Sequence, residues 1–225
     1  MKRALDLVVS VIALAFLALP FALIILVLRF TGEGKVWYLQ ERVGYQGKRF
    51  RVYKFVTMRE NSEYTGTKDI TLRNDPRVLP VGRLLRKAKL NELPQIINVL
   101  KGDMSLVGWR PLMPASFAYY PEHVQERIID LKPGLTGLGS IVFRDEEAIV
   151  ARSDKPPQQV YRNHIAPYKG ELELWYQEHQ GFGLDLKILV ATAWAVLFPH
   201  DQRHLEWFPG KPEDREKVES ELGTG

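Results

Sequence analysis

The chain has 225 residues, 45% apolar and 26% charged, a balance that excludes both a disordered chain and a polytopic membrane protein. It contains no cysteine, which removes disulfides, zinc–thiolate sites, iron–sulfur clusters and thiol nucleophiles together. The 31 Lys and Arg against 27 Asp and Glu leave a net charge of +4, too mild to call for nucleic acid.

Twenty-two residues without a charge lie between Asp6 and Arg29. As a helix they reach about 33 Å, close to the hydrocarbon thickness of a bilayer. The run is too long for a signal-peptide core and ends in bulky residues, so a retained membrane segment is expected. Pro20 sits mid-run, where it removes a backbone hydrogen bond. Lys2 and Arg3 precede the run, and Arg29, Lys35, Arg42, Lys48 and Arg49 follow it. Cations on both sides suit a segment that enters, bends at Pro20 and leaves by the same face, whereas a simple crossing gathers them on one side. A kinked crossing helix stays open, since proline is tolerated in membrane helices.

Lys35 to Met58 is strand-like, with a turn at Gly44-Tyr45-Gln46-Gly47. Residues 60–76 are polar and loop-like. A helix is expected from Pro80 to Leu90, with Pro80 suited to its first turn. A short helix follows from about Glu92 to Leu100, closed by Lys101 and Gly102. Residues 113–131 include a helix after Pro121, Lys132-Pro133-Gly134 forces a turn, and Ser140–Phe143 suggests a short strand. Residues 158–180 read as helices interrupted by Pro167. The stretch Leu184–Phe198 carries only Asp185 and Lys187 and suits an interfacial helix or a buried core helix equally. The division is a membrane anchor over 1–30, a compact mixed domain over 31–200 and a polar tail over 201–225.

Arg83, Arg86, Lys87 and Lys89 put four cations just before Asn91-Glu92. Asn91 there reads as a helix N-cap and Glu92 as a first-turn acid complementing the helix dipole. The same placement also suits a phosphate site, with an acidic residue holding Mg²⁺ against a pyrophosphate. Asp145-Glu146-Glu147 reads first as a solvated helix start, and Asp103 as a turn residue beside a glycine cap. His200 and His204 stand four apart with no third ligand in sight.

The stretch Asn74-Asp75-Pro76-Arg77 and then GRLLRKAKLNELPQIINVLKGDMSLVGWRP (Gly82 to Pro111) resembles the signature block of the bacterial sugar transferases, the monotopic phosphoglycosyl transferases. The likeness extends upstream through Arg42-Val43-Gly44 and Lys54-Phe55-Val56-Thr57-Met58. Downstream it takes in Lys132 to Gly137 and Leu184 to Leu189, in order, over most of residues 1–198. The resemblance implies an α/β (α+β), mostly helical domain with a small sheet, interfacial helices and a re-entrant helix broken at Pro20. It implies transfer of a sugar phosphate from a UDP-sugar to undecaprenyl phosphate with Mg²⁺, releasing UMP and starting an exopolysaccharide, capsule or O-antigen precursor. The expected partners are those two substrates and membrane lipid, with no nucleic acid; a homodimer stays open. The place is the bacterial inner membrane, with the catalytic domain on its cytoplasmic face. Carried over by position, Asn91 and Glu92 hold the catalytic pair, Glu92 is the candidate Mg²⁺ ligand, and Lys54, Arg86, Arg110 and Glu173 contact substrate.

Four departures stand out. Asn91 occupies the place of the family's Asp nucleophile, and an amide is a poor nucleophile and a weaker Mg²⁺ ligand than a carboxylate. Trp109 replaces the Pro of a Pro-Arg-Pro triplet, Val56 replaces the Arg of a Lys-Phe-Arg motif, and Gly139-Ser140 stands in place of Ala-Gln. Three consequences follow from Asn91: a disabled relative that binds nucleotide sugar or polyprenyl phosphate as an assembly partner, a different carboxylate as nucleophile (Glu92 or one of the 145–147 triplet), or direct attack by the lipid phosphate.

Overall fold

The computed structural model describes residues 2–31, 33–60 and 75–212. Its first element, α1 (Lys2–Phe30), runs helically through Pro20. The residues it turns inward include Asp6, Ser10, Phe21 and Leu28, with Leu14, Leu17, Ile24 and Ile25 partly covered between them. That spacing of three and four residues is a single stripe along the whole helix. The stripe lies on the folded domain at both ends. Near the start, Asp6 accepts hydrogen bonds from the Ser105 hydroxyl (3.0 Å) and the Leu106 amide (2.9 Å), and Lys2 pairs with Asp185 (2.7 Å). Arg3 donates to the Val99 and Leu100 carbonyls, the open C-terminal acceptors of a helix. Near the end, Phe21 and Leu28 pack with Phe55 and Leu85. The opposite face presents Val8, Val11, Phe16, Leu19, Leu23 and Phe30 outward.

Strands β1 (Trp37–Val43) and β2 (Arg49–Phe55) form the expected antiparallel hairpin, with Tyr38 opposite Lys54 and Arg42 opposite Phe50. Gln46 and Gly47 take left-handed conformations in the turn. The loop expected over 60–76 falls mostly outside the described residues, Asn74 included. Helix α2 (Pro80–Lys87) starts at its proline as expected but stops short of Leu90. Lys89, at φ 56°, turns the chain into a 3₁₀ segment, Leu90–Gln95, and α3 (Ile96–Lys101) follows, ending at Gly102 with φ 90°. The helix expected from Glu92 is therefore a 3₁₀ turn first, and Lys89 rather than Asn91 stands at its cap position, with no side-chain cap bond.

The parallel pair β3 (Ser105–Val107) and β4 (Gly134–Thr136) forms a second small sheet, its two strands connected through α4 (Pro114–Phe117) and α5 (Glu122–Ile128). Gly108 and Gly134 cross so closely that a Cβ at 134 would meet the Gly108 amide nitrogen at 2.1 Å. The short strand expected at Ser140–Phe143 is instead helix α6 (Leu138–Val142) and its C-cap Phe143, because Thr136 has already ended the paired strand. Helices α7 (Glu146–Arg152), α8 (Pro157–Val160), α9 (Ala166–His179) and α10 (Phe182–Leu197) complete the shell. A π-helical turn at Tyr161–Ile165 runs directly into α9, so Pro167 stands at the junction between the π turn and the α-helix. The core centres on Trp109, Leu138, Ile165, Leu172 and Ile188. Phe208 joins that core after a 3₁₀ turn at Arg203–Trp207, so the polar segment begun at 201 is folded at its start; residues 213–225 lie outside the described residues.

Helix α10 has one face in the core and one exposed apolar face. It buries Asp185, Ile188, Ala191 and Ala195, and it exposes Phe182, Leu186, Val190 and Leu197.

Candidate active site

The hairpin, the 3₁₀ turn and the segment after β3 bring four charged groups together. Strand alternation puts Tyr38, Gln40 and Arg42 on one face of β1, and pairing with Tyr38 puts Lys54 on the same face. The tight 3₁₀ turn presents Glu92 to that face. Trp109 is buried in the core with its indole N–H donating to the Leu131 carbonyl at 2.9 Å. Arg110, the next residue, extends toward Glu92. Glu92 is the hub: one oxygen accepts from Lys54 at 3.0 Å and from Arg110 at 2.8 Å, the other from Arg110 at 3.1 Å. Arg42 sits behind them, donating to the Pro111 carbonyl at 3.2 Å and to the Gln40 side chain.

Three cations around one carboxylate leave a surplus of two positive charges. Glu92 is deep in the protein yet 21% exposed at its tip, because it faces a cavity. Burial opposes its ionisation, but Arg110 and Lys54 prevail and hold its carboxyl well below the usual range. Burial lowers Lys54 to about 8, with Arg42 and Arg110 adding to the shift and Glu92 opposing it. Burial, reinforced by Arg110, also lowers Arg42 to about 10, so it stays charged at neutral pH.

The cavity holds about 1420 Å³. Eleven Lys and Arg line it against five carboxylates, so its field favours anions. Lys54, Arg86, Asn91, Glu92 and Arg110, all picked out from sequence, meet on it. Asn91 makes no side-chain hydrogen bond among the described residues, although it is 7% exposed. Glu173 is elsewhere: it is 1% exposed, behind the β4–α6 turn, and does not line the cavity. Among the described residues no well-formed hydrogen bond reaches either oxygen, and burial raises its carboxyl to about 8, only partly offset by Lys169 and by the backbone amide and charge of Arg110. Any side chain at 139 would meet Glu173 Oε1, since a Cβ there comes to 2.5 Å; Gly139 is what makes room for the carboxylate.

Sequence reading missed the roles of Arg42 and Lys169. Arg42 shows in the alternation of β1 only once its partner strand is known. Lys169 reaches the cavity from α9, is 2% exposed, and pairs with Glu146 at 2.6 Å. Glu146 is thus a cavity residue and not a freely solvated helix start. Pro20 lies on the outward face of α1.

The donor set bears on Mg²⁺. No three acidic or histidine side chains converge into a metal site among the described residues. Glu92 already gives both oxygens to Lys54 and Arg110, and its neighbour Asn91 adds only a neutral amide. These residues do not make a ready Mg²⁺ site.

The profile of the bacterial sugar transferases matches residues 1–199. An uncharacterized sugar transferase of Bacillus subtilis, EpsL, is 37% identical over 198 residues, which cover 88% of this chain and 87% of EpsL. The exopolysaccharide production protein ExoY of Sinorhizobium fredii is 34% identical over 67% of this chain and 73% of its own length. The undecaprenyl-phosphate galactose phosphotransferase of Salmonella typhimurium is 35% identical over 88% of this chain, but the match spans only 40% of that longer protein.

Proposed function

The chain belongs to the bacterial sugar transferase family, and on that footing we propose that it transfers a sugar phosphate from a UDP-sugar to undecaprenyl phosphate, releasing UMP. The reading places the protein on the inner membrane, its cavity on the cytoplasmic side. The observation that carries it is the Lys54–Glu92–Arg110 centre in a cation-rich cavity that α1 and α10 also line.

The reaction asks two anionic phosphates to approach each other. Arg110, Arg42, Lys54 and Arg86 supply the neutralising charge, fixed in place before the substrates arrive. Glu92 holds Lys54 and Arg110 in position, and a carboxylate accepting from both is a weak nucleophile. Asn91 offers no carboxylate. The route these groups favour is direct displacement. A nonbridging oxygen of the lipid phosphate attacks the β-phosphorus of the UDP-sugar. The bond from that phosphorus to the oxygen bridging the two phosphates breaks, and UMP leaves with that oxygen.

The test is transfer of radiolabelled sugar from a set of UDP-sugars into the organic phase, with and without undecaprenyl phosphate. Lipid-dependent extraction with matching UMP supports the reading. Absence of both across UDP-glucose, UDP-galactose and their N-acetyl forms overturns it.

A further inference from the structure

The cavity at the charged centre has a second wall of opposite character. Leu189, Ala193 and Val196 of α10 line it together with Ala13 of α1. Positions 189, 193 and 196 share one helical face, distinct from the face that buries Ile188 and Ala191 in the core. The one hydroxyl on this wall is already engaged: Thr192 Oγ1 donates to the Ile188 carbonyl at 2.8 Å and meets Thr136 Oγ1 at 2.7 Å. A sugar or a base finds little there to bond. A hydrocarbon does.

Size and continuity point the same way. About 1420 Å³ exceeds the roughly 300–1,000 Å³ typical of a site for one small ligand. The wall also adjoins the outward apolar face of the molecule. Ala13 is flanked on α1 by the exposed Ile12 and Phe16, and Ala193 on α10 by the exposed Val190 and Leu197. An apolar chain lying on that face continues into the cavity beside Arg110 and Lys54.

We propose that the Leu189–Ala193–Val196 face of α10, closed by Ala13 of α1, holds the first isoprene units of the lipid acceptor while its phosphate meets Arg110 and Lys54. The small side chain of Ala193 sets the width of this channel. This subsite rests on the transfer reading above.

Two measurements on the full chain in nanodiscs test it. The first is photocrosslinking with a polyprenyl phosphate carrying a diazirine in its first isoprene unit, mapped by peptide mass. The adduct is expected on α10 between residues 189 and 196 or on α1 near Ala13; an adduct confined to other elements overturns the subsite. The second is steady-state kinetics of Ala193→Phe and Val196→Ser. The KM for undecaprenyl phosphate is expected to rise roughly tenfold in each, because Phe at 193 fills the channel and Ser at 196 removes apolar contact that the lipid would cover, while the KM for the UDP-sugar holds. The preference for undecaprenyl over farnesyl phosphate is expected to shrink. Unchanged acceptor KM in both variants overturns the proposal. An adduct on α10 in a protein that transfers nothing from any UDP-sugar leaves the subsite standing and removes the transferase reading; lipid-dependent transfer with the adduct elsewhere does the reverse.

Discussion

Glu92 is bonded by two cations and Asn91 by no side-chain partner, and this asymmetry predicts unequal effects of mutation. Glu92→Gln leaves Lys54 and Arg110 without their counter-charge, and kcat/KM is expected to fall about 100-fold or more. Asn91→Ala, which breaks no side-chain bond, is expected to stay within about tenfold of the parent; equal losses in the two variants would assign Asn91 a direct part. Lys54 gives the donor a pH dependence. Its ammonium loses its proton near pH 8, well below the usual lysine value, so UDP-sugar affinity is expected to weaken as pH rises through 8. Titration calorimetry between pH 6.5 and 9 checks this, and Lys54→Arg is expected to flatten the profile. Glu173 acts on stability instead. Its folded pKa of about 8 lies above the ordinary value of 4.5, so its favourable contribution is full below about pH 4.5 and is lost as pH rises toward 8. Glu173→Gln is expected to remove that loss, gaining a few kcal/mol over the parent at pH 8 and little at pH 5. Denaturant unfolding at the two pH values reads the difference.

Helix α1 is about 43 Å long, enough to cross a bilayer, yet its stripe touches the domain from Lys2 and Asp6 to Leu28. A helix with both ends held on one domain leaves no room for a membrane between them. On the transfer reading, the face carrying Val11, Phe16 and Leu23 is the one expected to meet lipid side-on. The chain has no cysteine, so single cysteines can be placed freely. Ala4→Cys and Glu33→Cys are expected to react with an impermeant thiol reagent from the same side of sealed vesicles. Labelling from opposite sides would make α1 a crossing helix. The break expected at Pro20 is absent, since α1 is helical from Lys2 to Phe30 with the proline on its outward face; the pairing of Asp6 with Ser105 carried no sequence signal, because a lone acid in an apolar helix says nothing about its partner.

At the scale of the whole molecule, the legible parts were those governed by local rules. Alternation gave the β1–β2 hairpin, Pro80 the start of α2, and Gly102 the end of α3. Lys54, Arg86 and Glu92 were legible as site residues through the ordered motif, and they do converge. What stayed hidden depended on tertiary contact. The 3₁₀ turn at Leu90–Gln95 follows from the left-handed Lys89, which no propensity favours, and α6 wins over a strand at Ser140–Phe143 because β4 has already paired. Glu173, expected to contact substrate, is buried instead in the space that Gly139 leaves open, a close approach that no local pattern announces. The central claim joins these scales: a carboxylate locked by two cations positions charge and does not attack phosphorus. The measurement that tests it most directly is rapid-quench UMP release from a UDP-sugar in the absence of undecaprenyl phosphate, followed by intact mass of the protein. Direct displacement predicts no burst and an unmodified mass, with UMP appearing only when the lipid is added. A burst matching the enzyme concentration, with a sugar phosphate bound to the protein, would contradict it.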